Sequence, residues 1–97
     1  MTLDEFRDSL KNPSAPDGLS PYLLALWYEK HGDWTRAHET VQEIDDSTAA
    51  WIHAYLHRRE GDQQNSGYWY RQTGKVMPSY SLDQEWGEIV QTLLSGS

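Results

Sequence analysis

Ninety-seven residues make one domain, 1–97, with material for one hydrophobic core but not for a deep cavity as well. A formal net charge of −7 argues against non-specific nucleic-acid binding, and the absence of cysteine excludes disulfides, thiolate zinc sites and thiol chemistry. No apolar run approaches a membrane span, and Met1–Asp8 lacks the basic and apolar regions of a signal peptide, so the expected location is cytoplasmic, away from membranes.

Thr2-Leu3-Asp4-Glu5 has the form of a capping box, and Leu3, Phe6 and Leu10 follow at helical spacing, which predicts a helix over Leu3–Lys11. Residues 12–18 hold two prolines and a glycine and predict a loop. Ser20-Pro21 reads as an N-cap with proline at the first helical position, opening a second helix that Gly32 stops after His31. Asp33 caps a third helix, Trp34–Ile44. Asp45-Asp46-Ser47 is a tight acidic turn, from which Asp46 or Ser47 caps a fourth helix, Thr48–Glu60. Gly61 stops that helix and Asp62 caps a fifth, Gln63–Thr73. Ser81 opens the last, with Leu82, Trp86, Ile89, Val90, Leu93 and Leu94 on one stripe. Nothing reads as a strand pair, so the expected class is all-α with about six helices.

Five Trp and six Tyr stand against one Phe. The core is therefore expected to use large amphipathic rings, each needing a partner for its N–H or O–H when buried. Tyr68-Trp69-Tyr70 cannot all point one way on a helix, so they should divide between core and surface. Gly67 in mid-helix is expected to mark a close helix crossing, since glycine there otherwise costs about 1 kcal/mol.

A shift of 29 residues lays Pro21–Tyr28 on Ala50–His57, His31-Gly32-Asp33 on Glu60-Gly61-Asp62, Ala37 on Ser66 and Val41 on Tyr70. Each unit is a helix, a Gly-Asp turn and a second helix with a small residue one turn in. This pattern resembles the tetratricopeptide repeat over residues 20–74: a small residue in the first helix (Ala25, Ala54), an aromatic three further on (Tyr28, with His57 in its place in the second unit), and the turn glycine. A small residue (Ala37, Ser66) and a bulky one (Val41, Tyr70) then follow in the second helix. The period is shorter than the family's roughly 34 residues, and the closing proline is missing. The resemblance implies TPR-like antiparallel hairpins in a right-handed α–α superhelix: hairpin 1 at 20–46, hairpin 2 at 47–75, an N-terminal helix and loop at 1–19, and a capping helix at 76–97. The first and last helices would cover the ends of the array. Residues 57–71, His-Arg-Arg-Glu-Gly-Asp-Gln-Gln-Asn-Ser-Gly-Tyr-Trp-Tyr-Arg, are also similar to a signature of a small bacterial protein family to which no activity is attached.

In TPR-like hairpins the first helix of each unit lines a concave groove. Carried over by position, that groove would hold Tyr22, Leu26, Glu29 and Lys30, then Trp51, Tyr55, Arg58 and Arg59. Helical spacing separately places Trp51, Tyr55, Arg58 and Arg59 on one face. Trp, Tyr and Arg are hot-spot residues, and Arg grips carboxylates with paired hydrogen bonds. Residues 51–75 are also a basic island, four cationic residues against two acids, between acidic flanks. The expected function is thus a non-catalytic module binding a protein or peptide segment of acidic or carboxylate character. A solvated face packed on a flanking helix is the plainer reading of the same residues.

His53 and His57 have the H-x-x-x-H spacing that chelates metals. Their counterparts in the first unit, Leu24 and Tyr28, should face the partner helix, which favours a structural polar cluster of His53, His57, Glu60, Asn65 and Tyr68. A metal would need further ligands, for which only Glu60, Asp62 or His38 are at hand, so neither metal nor cofactor is expected. No Ser/His/Asp order, phosphate loop or paired-carboxylate motif points to catalysis. Two alternatives remain beside the binding module: a small hydrolase or metal-dependent enzyme built on His53, His57 and Glu60, and a structural homodimer.

Overall fold

Side-chain caps define where the helices begin. In the computed structural model, which describes residues 1–96, six α-helices form: α1 Leu3–Ser9, α2 Pro21–Lys30, α3 Trp34–Val41, α4 Ser47–Arg59, α5 Gln63–Thr73 and α6 Leu82–Gly96. No strand occurs among the described residues. Thr2 and Glu5 close the capping box on α1. Ser20 caps α2 ahead of Pro21, Asp33 caps α3, Asp46 rather than Ser47 caps α4, and Asp62 caps α5. The helices end one to three residues before the sequence-based bounds at the C-termini of α1, α2, α3 and α4, where the last residues leave the helix for a cap or turn.

The 29-residue repeat is visible at atomic level in the two turns. His31 ends α2 at φ −82°, ψ 0°, and Glu60 ends α4 at φ −83°, ψ −1°. The next residues, Gly32 and Gly61, have φ of 100° and 86°, a region that only glycine enters without strain. Asp33 N–H then donates to Tyr28 O at 2.8 Å and Gly32 N–H to Glu29 O at 3.1 Å; Asp62 N–H donates to His57 O at 2.9 Å and Gly61 N–H to Arg58 O at 3.1 Å. Both are Schellman turns, and in both the aspartate that completes the turn also caps the following helix. One residue thus ends one helix and starts the next, which leaves no free linker inside either hairpin.

Packing follows the same repeat. α2 lies on α3 and α4 on α5, with α4 also touching α2 and α3. The repeat-related pairs Ala25/Ala54, Leu26/Tyr55, Ala37/Ser66 and Val41/Tyr70 are all buried. Small residues at Ala37 and Ser66 leave space for each hairpin's helices to approach. Gly67 does not mark such a crossing: a Cβ there would meet only the Arg71 side chain, at 3.5 Å. The buried mid-helix glycine is Gly87 of α6, whose added Cβ would lie 3.1 Å from Arg7.

α6 departs from the expected end-cap position. It packs on α2, on α4 and on α1, so it spans both hairpins, while α1 packs on α6. Trp86 inserts between them. Its indole N–H donates to Leu26 O at 3.0 Å, its ring meets Phe6 of α1, and Arg7 and Lys30 lie over it at 5.1 and 5.2 Å. Asp83 ties the same three helices from the surface: Lys30 at 2.6 Å, with Arg7 at 3.6 Å, holds its carboxyl below the usual carboxylate range. The radius of gyration, 12.5 Å, is that of a compactly packed chain of this length. No described helix is long and apolar enough to cross a membrane.

Candidate functional site

α4 is the central helix, and its opposite faces carry the two groups of residues that the sequence singles out. Trp51, Tyr55 and Arg58 form one face, and α6 lies across it. Leu26 and Tyr55 have no exposure, and Trp51 and Glu29 are almost closed to solvent. The carboxylate that Arg58 was expected to grip on a partner is supplied in cis by Glu85 of α6. Arg58 Nη1 lies 2.8 Å from Glu85 Oε1, and Nη2 donates to the Tyr80 carbonyl. Trp51 Nε1–H donates to Glu85 Oε2 at 3.2 Å, and the Tyr70 hydroxyl sits 2.6–2.7 Å from both carboxylate oxygens. Glu85 is fully buried, so these donors are its entire solvation.

The remaining groove residues are engaged in the same way. The Tyr55 hydroxyl donates to Glu29 at 2.5 Å, and half-exposed Arg59 reaches the other Glu29 oxygen at 3.5 Å. Burial, followed by the adjacent carboxylates, raises the Tyr55 and Tyr70 phenols above their ordinary range, so both remain hydrogen-bond donors. Tyr22 bonds to Asp46 at the start of α4, and Lys75 covers the Trp51 ring at 4.3 Å. The face proposed from sequence as a groove is thus covered by α6 over Trp51, Tyr55 and Arg58, with Arg59 half-exposed beside it. The sequence did carry one signal for Glu85: it falls on the apolar stripe of α6, between Leu82 and Ile89, where a carboxylate requires a partner.

On the other side of α4, His53 and His57 face α3 and α5. His38 of α3 joins them, and one ring nitrogen from each of the three lies within 4.8 Å of the others. The Trp34 indole stacks on His38 at 5.1 Å and donates from Nε1 to Leu56 O at 2.7 Å. The Trp69 ring stacks on His53 at 4.3 Å. His57 Nδ1 is 2.7 Å from Glu60 Oε2, which makes Nδ1 the protonated nitrogen of that ring. His53 is 3% exposed, and its Nδ1 has no hydrogen-bond partner. Burial, then proximity to His38, pushes His53 down to about 4; burial and His57 also lower His38. Both rings are neutral at pH 7. A second group of ligand atoms, from His57, Glu60 and Asp62, is equally close-set.

Two residues expected in this cluster stand apart. Asn65 bonds to Asp62 at the α5 cap, and Tyr68 is 48% exposed, meeting only the edge of Trp69 among the rings. The Tyr68-Trp69-Tyr70 run divides as its spacing requires, into surface, histidine cluster and core. His38 lay on the buried stripe of α3 beside Ala37 and Val41, but its meeting with His53 depends on how α3 crosses α4, which one strand of sequence does not specify.

A cleft of about 390 Å³ opens where the α3–α4 turn faces α5. Ile44, Ala50 and Trp69 supply its apolar surface, and Glu43, Asp45 and Asp46 its rim. Glu43 and Asp45 are exposed, whereas Asp46 is held by Tyr22 and by the Ala49 N–H. A smaller cavity of about 170 Å³ lies between the 13–15 loop and Trp27, Tyr28 and His31.

Comparison with protein-family models, with curated proteins and with solved structures finds no match to this chain.

Proposed function

We propose that the chain is a non-catalytic, TPR-like module of the cytoplasm that binds a protein or peptide segment through the cleft beside Trp69. The observation that carries this reading is the division of the two faces of α4. The Arg58 face is filled by α6, while the Trp69 cleft is open and has polar groups left over. The near-identical turns at Gly32 and Gly61 support the repeat resemblance, and the lack of cysteine fits a reducing compartment.

The placement alters the chemistry expected of the partner. Arg58 and Arg59 are matched by Glu85 and Glu29, so they are poor anchors for an acidic segment. Glu43 and Asp45 beside Ile44 and Trp69 instead suit a lysine or arginine whose methylene stem lies on the apolar floor. The occupant proposed is therefore a basic peptide segment. The net charge of −7 favours its approach.

An array of immobilised peptides, basic and acidic in equal number, tests this with wild type, Trp69→Ala and Glu43→Lys/Asp45→Lys. Retention by basic peptides that both variants lose supports the cleft. Retention by acidic peptides that Arg59→Glu abolishes would return the function to the α4–α6 face. Sedimentation as a dimer broken by Trp69→Ala would mean that the cleft serves self-association instead.

A further inference from the structure

We propose that His38, His53 and His57 form a binding site for a divalent transition-metal ion of the zinc class, with Glu60 orienting His57 from behind. This site adjoins the Trp69 cleft, since the Trp69 ring that lines the cleft also stacks on His53, but it does not depend on the function assigned to that cleft.

The repeat supplies the first argument. Under the 29-residue shift, His53 and His57 correspond to Leu24 and Tyr28, and His38 to Gly67. The first hairpin has Leu24 and Tyr28 where the second has His53 and His57, and the second has Gly67 where the first has His38, so the repeated packing does not call for histidine at any of the three positions. The three imidazoles are additional chemistry placed in an otherwise repeated frame.

The second argument is polar accounting. His53 Nδ1 is buried without a partner, an arrangement that costs free energy unless something fills it. A leucine would fill the same space at no such cost. In the tautomer with the ring proton on Nε2, Nδ1 carries a lone pair that a metal ion would take up.

The third is ligand geometry. Zinc–nitrogen bonds of about 2.0–2.1 Å place tetrahedral ligand nitrogens about 3.3 Å apart. The three nitrogens, all within 4.8 Å of one another, need to draw together by no more than about 1.5 Å to reach that spacing. Glu60 bonded to His57 Nδ1 leaves Nε2 of that ring for the ion, the carboxylate–histidine–metal arrangement common behind metal ligands. The Trp34 and Trp69 rings stacked on His38 and His53 restrict the orientation of both. Three imidazoles without thiolate select zinc, cobalt, nickel or copper over calcium or magnesium, leaving a fourth position for water.

The test is titration of the chelator-stripped full chain with Zn(II) and with Co(II). The expected result is uptake of one equivalent, with the visible absorption of four-coordinate Co(II) and a higher Tm. Glu60→Gln should weaken affinity about 10- to 100-fold. His53→Leu/His57→Tyr copies the first hairpin and should remain helical by circular dichroism while losing the Co(II) spectrum. His38→Ala, at a partly buried position, should lose it as well. No stoichiometric uptake by the folded wild type, or uptake unchanged in His38→Ala and in the double variant, would overturn the proposal. Calcium or magnesium raising Tm as much as zinc would also overturn it.

Discussion

Arg58 and Glu85 are joined at 2.8 Å beneath α6, where the Glu85 carboxylate has no contact with solvent. Removing one member leaves the other charged and buried. Glu85→Ala should therefore destabilise the chain by about 3–5 kcal/mol, and Arg58→Ala by a comparable amount. The double variant should cost clearly less than the sum of the two, because neither orphan charge survives. Urea unfolding of the four proteins measures the coupling, and additive costs would mean that the pair contributes little beyond its separate contacts.

The histidine cluster predicts an acid-sensitive component of stability. His53 titrates near 6.5 when unfolded and near 4 when folded. Between those values the unfolded chain holds more protons, so stability rises with pH. The contribution is complete above pH 6.5, declines as pH falls and is gone below about 4; fully realised, it is on the order of 3 kcal/mol. His38 from α3 is shifted in the same direction and adds to the slope, while His57, Glu60, Glu39 and Asp62 are further titratable groups around the cluster. Urea midpoints between pH 7 and pH 4.5 should fall more steeply for wild type than for His53→Leu. Parallel curves would refute this assignment.

Ser66 sits with no exposure where α5 meets α4, at the position that Ala37 holds in the first hairpin. Its hydroxyl bonds only to Gln63 O within its own helix, at 3.2 Å. Ser66→Ala should thus leave Tm within a few degrees of wild type. Ser66→Leu must separate the helices and should cost about 1–3 kcal/mol. A melt of Ser66→Leu indistinguishable from wild type would contradict the close packing of this pair.

The repeated turn makes a paired prediction. Gly32→Ala and Gly61→Ala each force a Cβ into positive φ, with nothing within 4 Å to add a steric contribution. Each should cost about 1–2 kcal/mol, and the two costs should be nearly equal. Thermal unfolding of both variants checks this. A large difference would show that the turns, though alike in geometry, differ in the strain they tolerate.

Much of this architecture could be read from local chemistry. Capping residues and turn glycines act within a few positions of themselves, so Thr2, Ser20, Asp33, Asp62 and the Gly-Asp turns fix the helices without reference to the rest of the chain. The position of α6 was a different kind of question. Its stripe of Trp86, Ile89 and Val90 shows that it buries one face, but not against which surface, so sequence alone leaves the basic face of α4 either open or covered by a flanking helix. The candidate metal site had the same difficulty. His53 and His57 declare their spacing within one helix, whereas His38 reaches them only through the angle between two. Asn65 looked available to the histidines from its distance along the chain, but the Asp62 cap lay nearer and took its amide.

A linear array in which each hairpin touches only its neighbour can fray from one end while the rest stays intact. Here α6 spans both hairpins, holding α2 through the bond from Trp86 to Leu26 and α4 and α5 through Glu85. Melting either hairpin strips α6 of its seat, and detaching α6 exposes the cores of both. The two halves are bound into a single cooperative unit, so partial disassembly offers little relief to a protein under stress: the chain stays whole or unfolds together.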